Sequence, residues 1–313
     1  MADSEQQEYL ENAASVFHNI DLLHIKKSYG LLCEMEEGAI EQFVAKYSDF
    51  VIFLLNILDP GRSNHLLGRL TEASIVYVME EETRTLMIKD VAAQAMRGED
   101  FANLSLFLDR VDRPPAPGED FDAGARSILE GGAELRRSLK REHFAYLEAL
   151  ERDRLERVLA FLVERNHYVA LAMLLYCNEA RLGELLDALA QYDAKLLGYV
   201  PHEFFGIRFS TGWSAFTDSE VRKSLPAEAR ATLERILAFR ATNSALLQRV
   251  RQLSSAESDP VRRRKLVIES LASGIGRGDA GILKYVFADL ISDGILDPAD
   301  LRMIETVTEK SDY

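Results

Sequence analysis

Apolar residues recur every three to four positions along almost the whole chain, and this spacing is the strongest constraint on its fold. It lines up side chains on one face of an α-helix, whereas a half-buried strand needs strict alternation. A representative series is Ile40, Phe43, Val44, Tyr47, Val51 and Leu54. The pattern predicts an all-α protein. The one segment with enough Ile, Val, Tyr and Thr to permit a hairpin, residues 74–88, is predicted to form two helices.

Turn and capping residues divide this helical pattern. Asp-Pro pairs at 59–60, 259–260 and 297–298 predict helix starts, because aspartate caps free amides and proline suits the first helical position. Asn166 is predicted to be a further helix boundary. No sequence unit repeats at a fixed period. The expected fold is therefore an irregular multi-helix bundle or a short α-solenoid of helical hairpins without a consensus repeat.

The clearest break in the pattern has three prolines within residues 114–117, followed by an acidic, glycine-containing run. Proline-rich chain is stiff and cannot continue a helix. Residues 111–125 are therefore predicted to be a linker or an exposed loop. They would separate an acidic N-terminal helical region, 1–110, from a C-terminal helical region, 126–313.

The charge balance limits the partners. The chain carries 51 acidic and 37 basic side chains, a net charge of -14, which repels phosphate backbones and disfavours nucleic-acid binding. Residues 1–60 contain eleven acidic residues against three lysines. The predicted partner of this acidic region is another protein that presents a basic surface, although a solvated helix face explains the same charges. Formation of a homo-oligomer is left open.

Two features predict a cytoplasmic protein that does not cross a membrane. The first ten residues lack the basic and apolar regions of a secretory signal. The longest apolar stretches, 50–58 and 168–177, fall short of the ~20 residues that a membrane span needs. The two cysteines, Cys33 and Cys177, have apolar neighbours and are predicted to be buried thiols.

The chain lacks complete versions of the motifs that helical enzymes use. The acidic run 80–82 has no spaced aspartate partner for a magnesium–diphosphate site and is predicted to be solvated at a helix end or turn. Only Glu164 and His167 have the Glu-x-x-His spacing of di-iron bundles, which need two such pairs. No cofactor is therefore predicted.

Arg137 and His143 have the Arg-to-His spacing of helical ribonucleases of the HEPN type. Among 27 arginines and six histidines such a pair also arises by chance, so a solvated helix face is the favoured interpretation. The two residues are the candidate catalytic pair if the chain cleaves RNA.

Residues 289–300 share part of the pattern of a calcium-binding EF-hand loop. Acidic residues occupy its first, fifth, ninth and twelfth positions and Gly294 its sixth, but the oxygen ligand at position three and the closing glutamate are missing. A helix end at Gly294 and a helix start at 297 explain the same residues and are favoured. The candidate metal ligands are Asp289, Asp293, Asp297 and Asp300.

Five aromatic residues, including the only tryptophan, crowd into residues 204–216 of a segment, 201–216, that is predicted to be irregular. Aromatic side chains bury a large area, so such a loop either plugs a gap between helices or presents a binding surface. The plug is the favoured interpretation. If a pocket exists there, its candidate walls and polar anchors are His202, Phe205, Arg208 and Trp213.

Arg262, Arg263 and Arg264 fall in the first turn of a predicted helix, where positive charge opposes the helix dipole. This position favours a nearby negative partner. A partner within the chain is the favoured interpretation, and an external anion or protein is the alternative.

The sequence thus predicts a helical protein-interaction module, such as an adaptor, scaffold or regulatory subunit, without a complete catalytic motif. Two alternatives stay open. One is a small-molecule-binding enzyme or sensor that uses residues 201–216, and the other is a HEPN-like ribonuclease. Whether the chain is an enzyme is left open, although the incomplete motifs weigh against it.

Overall fold

The architecture is taken from a computed structural model. It describes residues 2–97, 102–113, 129, 143–211, 219–276, 280–292 and 294–310. All regular secondary structure in these ranges is helical and none is strand, so the prediction of an all-α protein is confirmed. None of the helices in these ranges is long and apolar enough to span a membrane.

The chain divides into two compact units, residues 1–178 and 179–313. The described helices of the first unit are α1 (Ala2–Ser15), α2 (Leu22–Glu34), α3 (Glu37–Lys46), α4 (Ser48–Ile57), α5 (Pro60–Arg69), α6 (Glu72–Arg97), α7 (Ala102–Val111) and α8 (Arg152–Met173). A 3-10 helix, Ala145–Ala149, precedes α8. Helices α3, α4, α7 and α8 pack against α6, which makes α6 the centre of this unit.

The second unit is built from shorter helices. They are α9 (Glu179–Asp193), α10 (Gly206–Thr211), α11 (Ser219–Ser224), α12 (Ala227–Thr242), α13 (Ser244–Ala256), α14 (Pro260–Gly274), α15 (Leu283–Val286), α16 (Ala288–Ser292) and α17 (Pro298–Lys310). Helix α13 packs against α14, α14 against α17, and α10 against both α15 and α16.

Helix starts follow the Asp-Pro prediction. Asp59 accepts a hydrogen bond from the Arg62 amide at 3.1 Å, and Asp259 accepts one from the Val261 amide at 2.9 Å. In both cases the next residue is proline at the start of the helix. Local capping chemistry alone therefore placed the first residues of α5 and α14.

Helix α6 corrects one prediction. Residues 74–88, predicted to form two helices, belong to a single helix of 26 residues. Its interior has no glycine or proline to break it. Its fully buried residues include Ile75, Val76, Val78, Met79 and Met87. Tertiary packing around α6 therefore outweighs the strand preference of its β-branched residues.

Asn166 marks a kink inside α8, as its predicted role as a helix boundary requires. Its backbone is non-helical, with φ -154° and ψ 86°. Its Oδ1 accepts from the amides of Tyr168 and Val169 at 3.2 and 3.3 Å, so it caps the second half of the helix. Its Nδ2 donates to the Val111 carbonyl at 3.0 Å, which ties the end of α7 to α8.

Most of the predicted linker, residues 111–125, lies outside the described residues. Its role as a linker or an exposed loop stays a prediction. The helices on its two sides, α7 and α8, pack against each other within the first unit.

Candidate interaction surfaces

The segment 201–216 is helical up to residue 211, where the sequence predicted irregular chain. A 3-10 helix, His202–Phe205, leads directly into α10. Phe205 and Phe209 are fully buried, with ring centroids 5.8 Å apart, and Phe209 lies 6.0 Å from the ring of Tyr285. This burial is what the plug interpretation expects. The side chain of His202 and the whole of Trp213 lie outside the described residues.

Hydrogen bonds hold Arg208 against α9. Its Nε donates to the Gly183 carbonyl at 3.0 Å and its Nη2 to Asp187 Oδ2 at 2.6 Å. The guanidinium lies so close to Gly183 that a Cβ there would stand 2.8 Å from Nε. Arg208 therefore connects α10 to α9, as a packing residue would.

The three arginines of α14 all have partners within the chain. Arg262 Nε lies 3.3 Å from Glu257 Oε2, and Arg263 Nε donates to the Glu257 carbonyl at 2.7 Å. Arg264 Nη2 pairs with Asp300 Oδ1 at 2.9 Å and also with Asp297. These contacts are of the intramolecular kind that the sequence favoured.

Two of the four candidate calcium ligands form a reciprocal helix cap. Asp297 accepts from the amides of Ala299 and Asp300, at 2.7 and 2.9 Å, while Asp300 accepts from the Asp297 amide at 2.9 Å. The amide of Asp300 is the main reason why the pKa of Asp297 lies below its usual range. The side chain of Asp289 and all of Asp293 lie outside the described residues.

The preceding helix end also has a complete local explanation. Gly294 has φ +69°, in the left-handed region. Its amide donates to the Ile291 carbonyl at 3.1 Å and the next amide, of Ile295, to the Leu290 carbonyl at 2.9 Å, which is the Schellman motif. Among the described residues, no group of three or more His, Cys, Asp or Glu side chains could hold a metal ion.

The candidate ribonuclease pair is described only in part. Arg137 lies outside the described residues. His143 is partly exposed and directly precedes Phe144, a buried residue with φ +59°. The pair stays a prediction.

The acidic N-terminal region exposes much of its charge. The exposed acidic side chains within residues 1–60 include Glu5, Glu8, Asp21, Glu34, Glu36, Glu37, Asp49 and Asp59. Lys46, one of the three lysines, lies 3.4 Å from Glu11. With eleven acids and three lysines the region has a net charge of -8, so it is a strongly negative surface on α1 to α4.

Three exposed apolar side chains lie inside this acidic region, where α1 turns into α2. Val16, Leu22 and Leu23 are 55%, 69% and 75% exposed, and we call them the α1–α2 corner. The buried face of α2 starts only afterwards, at Ile25. Single exposed apolar residues are ordinary, but these three fall within eight positions of an acidic region, where they offer apolar surface to a partner.

Residues 219–276 carry the opposite charge. This stretch, α11 to α14, contains eleven basic and six acidic side chains, a net charge of +5 in a chain of -14. One exposed basic residue of this stretch that takes no part in the contacts of Arg262, Arg263 and Arg264 is Arg249 of α13. Within this stretch the run 262–264 is the most conspicuous in the sequence, but a charge count over a longer window identifies the whole region.

Helix α6 contains acidic side chains that were predicted to be solvated but are partly buried. The acids 80–82 lie in the middle of the helix, and Glu80 pairs with Arg165 of α8 at 3.0 Å. Glu82 accepts from the Phe144 amide at 3.1 Å, and its second oxygen is buried without a hydrogen-bond partner. Burial raises the pKa of both Glu80 and Glu82. The prediction of solvated acids at a helix end is therefore wrong for these two residues.

The two cysteines differ in environment. Both are free thiols, but Cys177 is fully buried whereas Cys33 is partly exposed, so the prediction of burial fails for Cys33.

Comparison with known proteins gives no match. No protein-family model matches the chain, and no curated protein or solved structure is significantly similar to it. Assignment of function therefore depends on the residues of the chain itself.

Proposed function

We propose that the chain is a cytoplasmic helical interaction module, an adaptor, scaffold or regulatory subunit, whose acidic N-terminal region binds a basic protein. The observation that carries this proposal is the α1–α2 corner, where Leu22 and Leu23 are 69% and 75% exposed within the most acidic part of the chain. Protein interfaces combine apolar anchors at the centre with a polar rim.

The corner supplies the apolar part of such an interface. Burying a leucine side chain stabilises a complex by about 1.5–3 kcal/mol, because apolar surface leaves water. Two adjacent leucines can therefore contribute a large share of a micromolar affinity, which corresponds to about 8 kcal/mol. Exposure in the free chain means that this contribution is available to a partner.

The acidic residues of the region influence which partner binds and how fast it associates. A surface of net charge -8 over residues 1–60 attracts a basic partner and repels an acidic one. Charges at the rim of an interface act mainly on the association rate and on specificity. The partner is expected to present lysine or arginine side chains around an apolar cleft that receives the two leucines, and the complex is expected to weaken as salt concentration rises.

The test begins with the tagged chain purified from its own source. Proteins that stay stoichiometric after gel filtration are identified by mass spectrometry, and the basic partner is then produced alone and titrated calorimetrically. The double variant Leu22→Gln and Leu23→Gln is expected to weaken binding by about tenfold or more. Neutralising Glu5 and Glu8 to glutamine is expected to lower the association rate at low salt.

A matched control uses equally exposed apolar residues elsewhere. Met96 and Val261 are 83% and 79% exposed, and the variant Met96→Gln with Val261→Gln is expected to bind as wild type. Two results contradict the proposal. One is unchanged binding by the Leu22, Leu23 variant, and the other is a chain that emerges without protein but with a bound small molecule, metal or RNA.

A further inference from the structure

Helices α2 and α5 bring three reactive side chains together. Tyr29 and Cys33 are four residues apart and therefore share one face of α2. His65 of α5 faces them, and its Nδ1 lies 2.9 Å from the Tyr29 hydroxyl and 3.5 Å from Cys33 Sγ. The tyrosine hydroxyl and the thiol both contact the same ring nitrogen. A thiol, an imidazole and a phenol thus form one connected group.

The group is accessible from solvent. His65 is exposed, and Tyr29 and Cys33 are partly exposed. This distinguishes Cys33 from Cys177, whose side chain is completely buried. Small reagents can therefore reach the sulfur of Cys33 in the folded protein.

Two arginines lie beside the group, together with the acidic residues Glu34 and Asp59. Arg62, His65 and Arg69 are spaced by three and four residues, so they line one face of α5. Both guanidinium groups are exposed at the surface. Arg62 stands 3.5 Å from Asp59, a distance at which the pair is weak, and Arg69 Nη2 donates to the Met35 carbonyl at 2.7 Å.

We propose that Cys33 is a site of reversible thiol–disulfide exchange with anionic low-molecular-weight disulfides, glutathione disulfide being the representative, and that His65 accepts the proton of the thiol. The class of reagent follows from the site. A thiol with an adjacent base attacks a disulfide sulfur, and Arg62 and Arg69 favour carboxylate-bearing molecules over neutral ones.

The exchange needs no further reactant. The thiol proton passes to His65 Nδ1, which lies 3.5 Å from the sulfur, and the Cys33 sulfur attacks one sulfur of the disulfide. A bond forms between these two sulfurs while the original sulfur–sulfur bond breaks. The departing thiolate takes the proton back from His65 and leaves as the free thiol, so atoms and electrons balance.

The role of His65 follows from the environment of the sulfur. Partial burial raises the pKa of the Cys33 thiol, and the charge of Glu34 acts in the same direction. Spontaneous ionisation is therefore disfavoured, because partial burial removes more solvation from the charged thiolate than from the neutral thiol. A neighbouring proton acceptor is what makes such a thiol reactive.

The test uses the full chain with Cys177→Ala, which leaves Cys33 as its single cysteine. Second-order rates of mixed-disulfide formation are measured by mass spectrometry with glutathione disulfide and with neutral 2,2′-dithiodipyridine. We expect the folded chain to react with glutathione disulfide about tenfold faster than the same chain unfolded in urea. His65→Gln is expected to lower both rates by about tenfold or more, as loss of a general base does.

The charge requirement is tested separately. Arg62→Gln is expected to lower the rate with glutathione disulfide severalfold and to leave the rate with the neutral disulfide unchanged, whereas Arg249→Gln on α13 changes neither. Thermal melting checks that each variant is folded.

The proposal is overturned by any of three results in folded protein. The first is a folded thiol that reacts more slowly than the unfolded one. The second is an unchanged rate in His65→Gln, and the third is an equal effect of Arg62→Gln on the anionic and the neutral disulfide.

Discussion

An ion pair from each unit of this protein shows how burial changes the contribution of a charge. In the first unit, Arg165 of α8 pairs with Glu80 of α6 from a partly buried position. In the second, Arg262 pairs with Glu257 at the start of α14 and is far more exposed, although Arg208 of the same unit is partly buried against α9. A buried pair is costly to break, because the remaining charge has lost its water, whereas an exposed pair is replaced by solvent. Substitution of Arg165 should therefore lower stability more than substitution of Arg262.

The largest effect is expected at the kink of α8. Asn166→Ala removes the cap of Tyr168 and Val169 and the bond to the Val111 carbonyl, all at a buried position. We expect a loss of about 2 kcal/mol in the stability of the first unit, measured by hydrogen exchange resolved to its peptides.

The matched change in the second unit is Asn243→Ala at the junction of α12 and α13. The Nδ2 of Asn243 donates to the Phe239 carbonyl from a partly buried position, so the expected loss is below about 1 kcal/mol. Equal losses at Asn166 and Asn243 would contradict the expected effect of burial.

Breaking the ion pair on α6 should be the next largest effect. Arg165→Met leaves Glu80 poorly solvated and without this partner, and also removes the guanidinium that lies 4.8 Å from the Tyr77 ring. We expect a loss of about 1–2 kcal/mol, partly recovered when Glu80→Gln is added.

Its counterpart is Arg262→Met, whose side chain is 72% exposed. The expected loss is at most about 0.5 kcal/mol by the same hydrogen-exchange measurement. A larger loss for Arg262→Met than for Arg165→Met would refute the interpretation of both pairs.

Two helical glycines should respond with opposite signs. Gly183→Ala places a Cβ against the Arg208 guanidinium and disturbs its bonds to α9, and the expected net loss is about 0.5–1 kcal/mol. Gly68 of α5 has open space around its Cβ position, so Gly68→Ala should stabilise the first unit by about 0.5–1 kcal/mol. Denaturant unfolding of both variants measures the two signs.

Glu82 should be a residue whose charge destabilises the protein. Burial raises its pKa in the folded state, so the folded chain holds this proton to a higher pH than the unfolded chain does. The buried carboxylate therefore destabilises the folded state at pH values above the pKa of Glu82 in the folded chain. This destabilisation disappears at pH values below its pKa in the unfolded chain. Glu82→Gln is therefore expected to raise the melting temperature at neutral pH, by a margin that shrinks as the solution becomes acidic.

Asp297 should show the opposite pH dependence and the smallest effect. The amide of Asp300 lowers its pKa in the folded state, so its contribution is present above the unfolded pKa and is lost as pH falls through the folded one. Asp297→Asn is expected to lower the melting temperature slightly at neutral pH and to match wild type in strong acid. The same sign for Glu82→Gln and Asp297→Asn at neutral pH would contradict this contrast.

Much of the fold could be predicted because it depends on residues close in sequence. The all-α class follows from the spacing of apolar residues, and Asp59, Asp259 and Gly294 act within a few residues of their partners. The same local chemistry explains the EF-hand-like pattern at 289–300. Gly294 ends one helix and Asp297 caps the next. Such contacts form in any fold that keeps these segments helical.

The candidate sites were less predictable, because their environment depends on distant helices. Glu80 and Glu82 look like surface acids in the sequence, yet α8 and residues 143–149 cover them. Helix α6 is continuous because its neighbours bury its β-branched residues. The first part of segment 201–216 is likewise helical where Phe205 and Phe209 are buried, and no local sequence pattern predicts that burial.

The sequence by itself determined the helical class, the main caps and the opposite charges of residues 1–60 and 219–276, since each is a property of neighbouring residues. Only the tertiary structure decided which acids are buried, that Arg208 joins α10 to α9, and that Cys33 meets His65. The last contact joins residues 32 positions apart, and the pair of Glu80 and Arg165 joins residues 85 apart. Contacts at such separations depend on how whole helices pack, and the period of apolar residues indicates that a helix has a buried face but not which helix covers it.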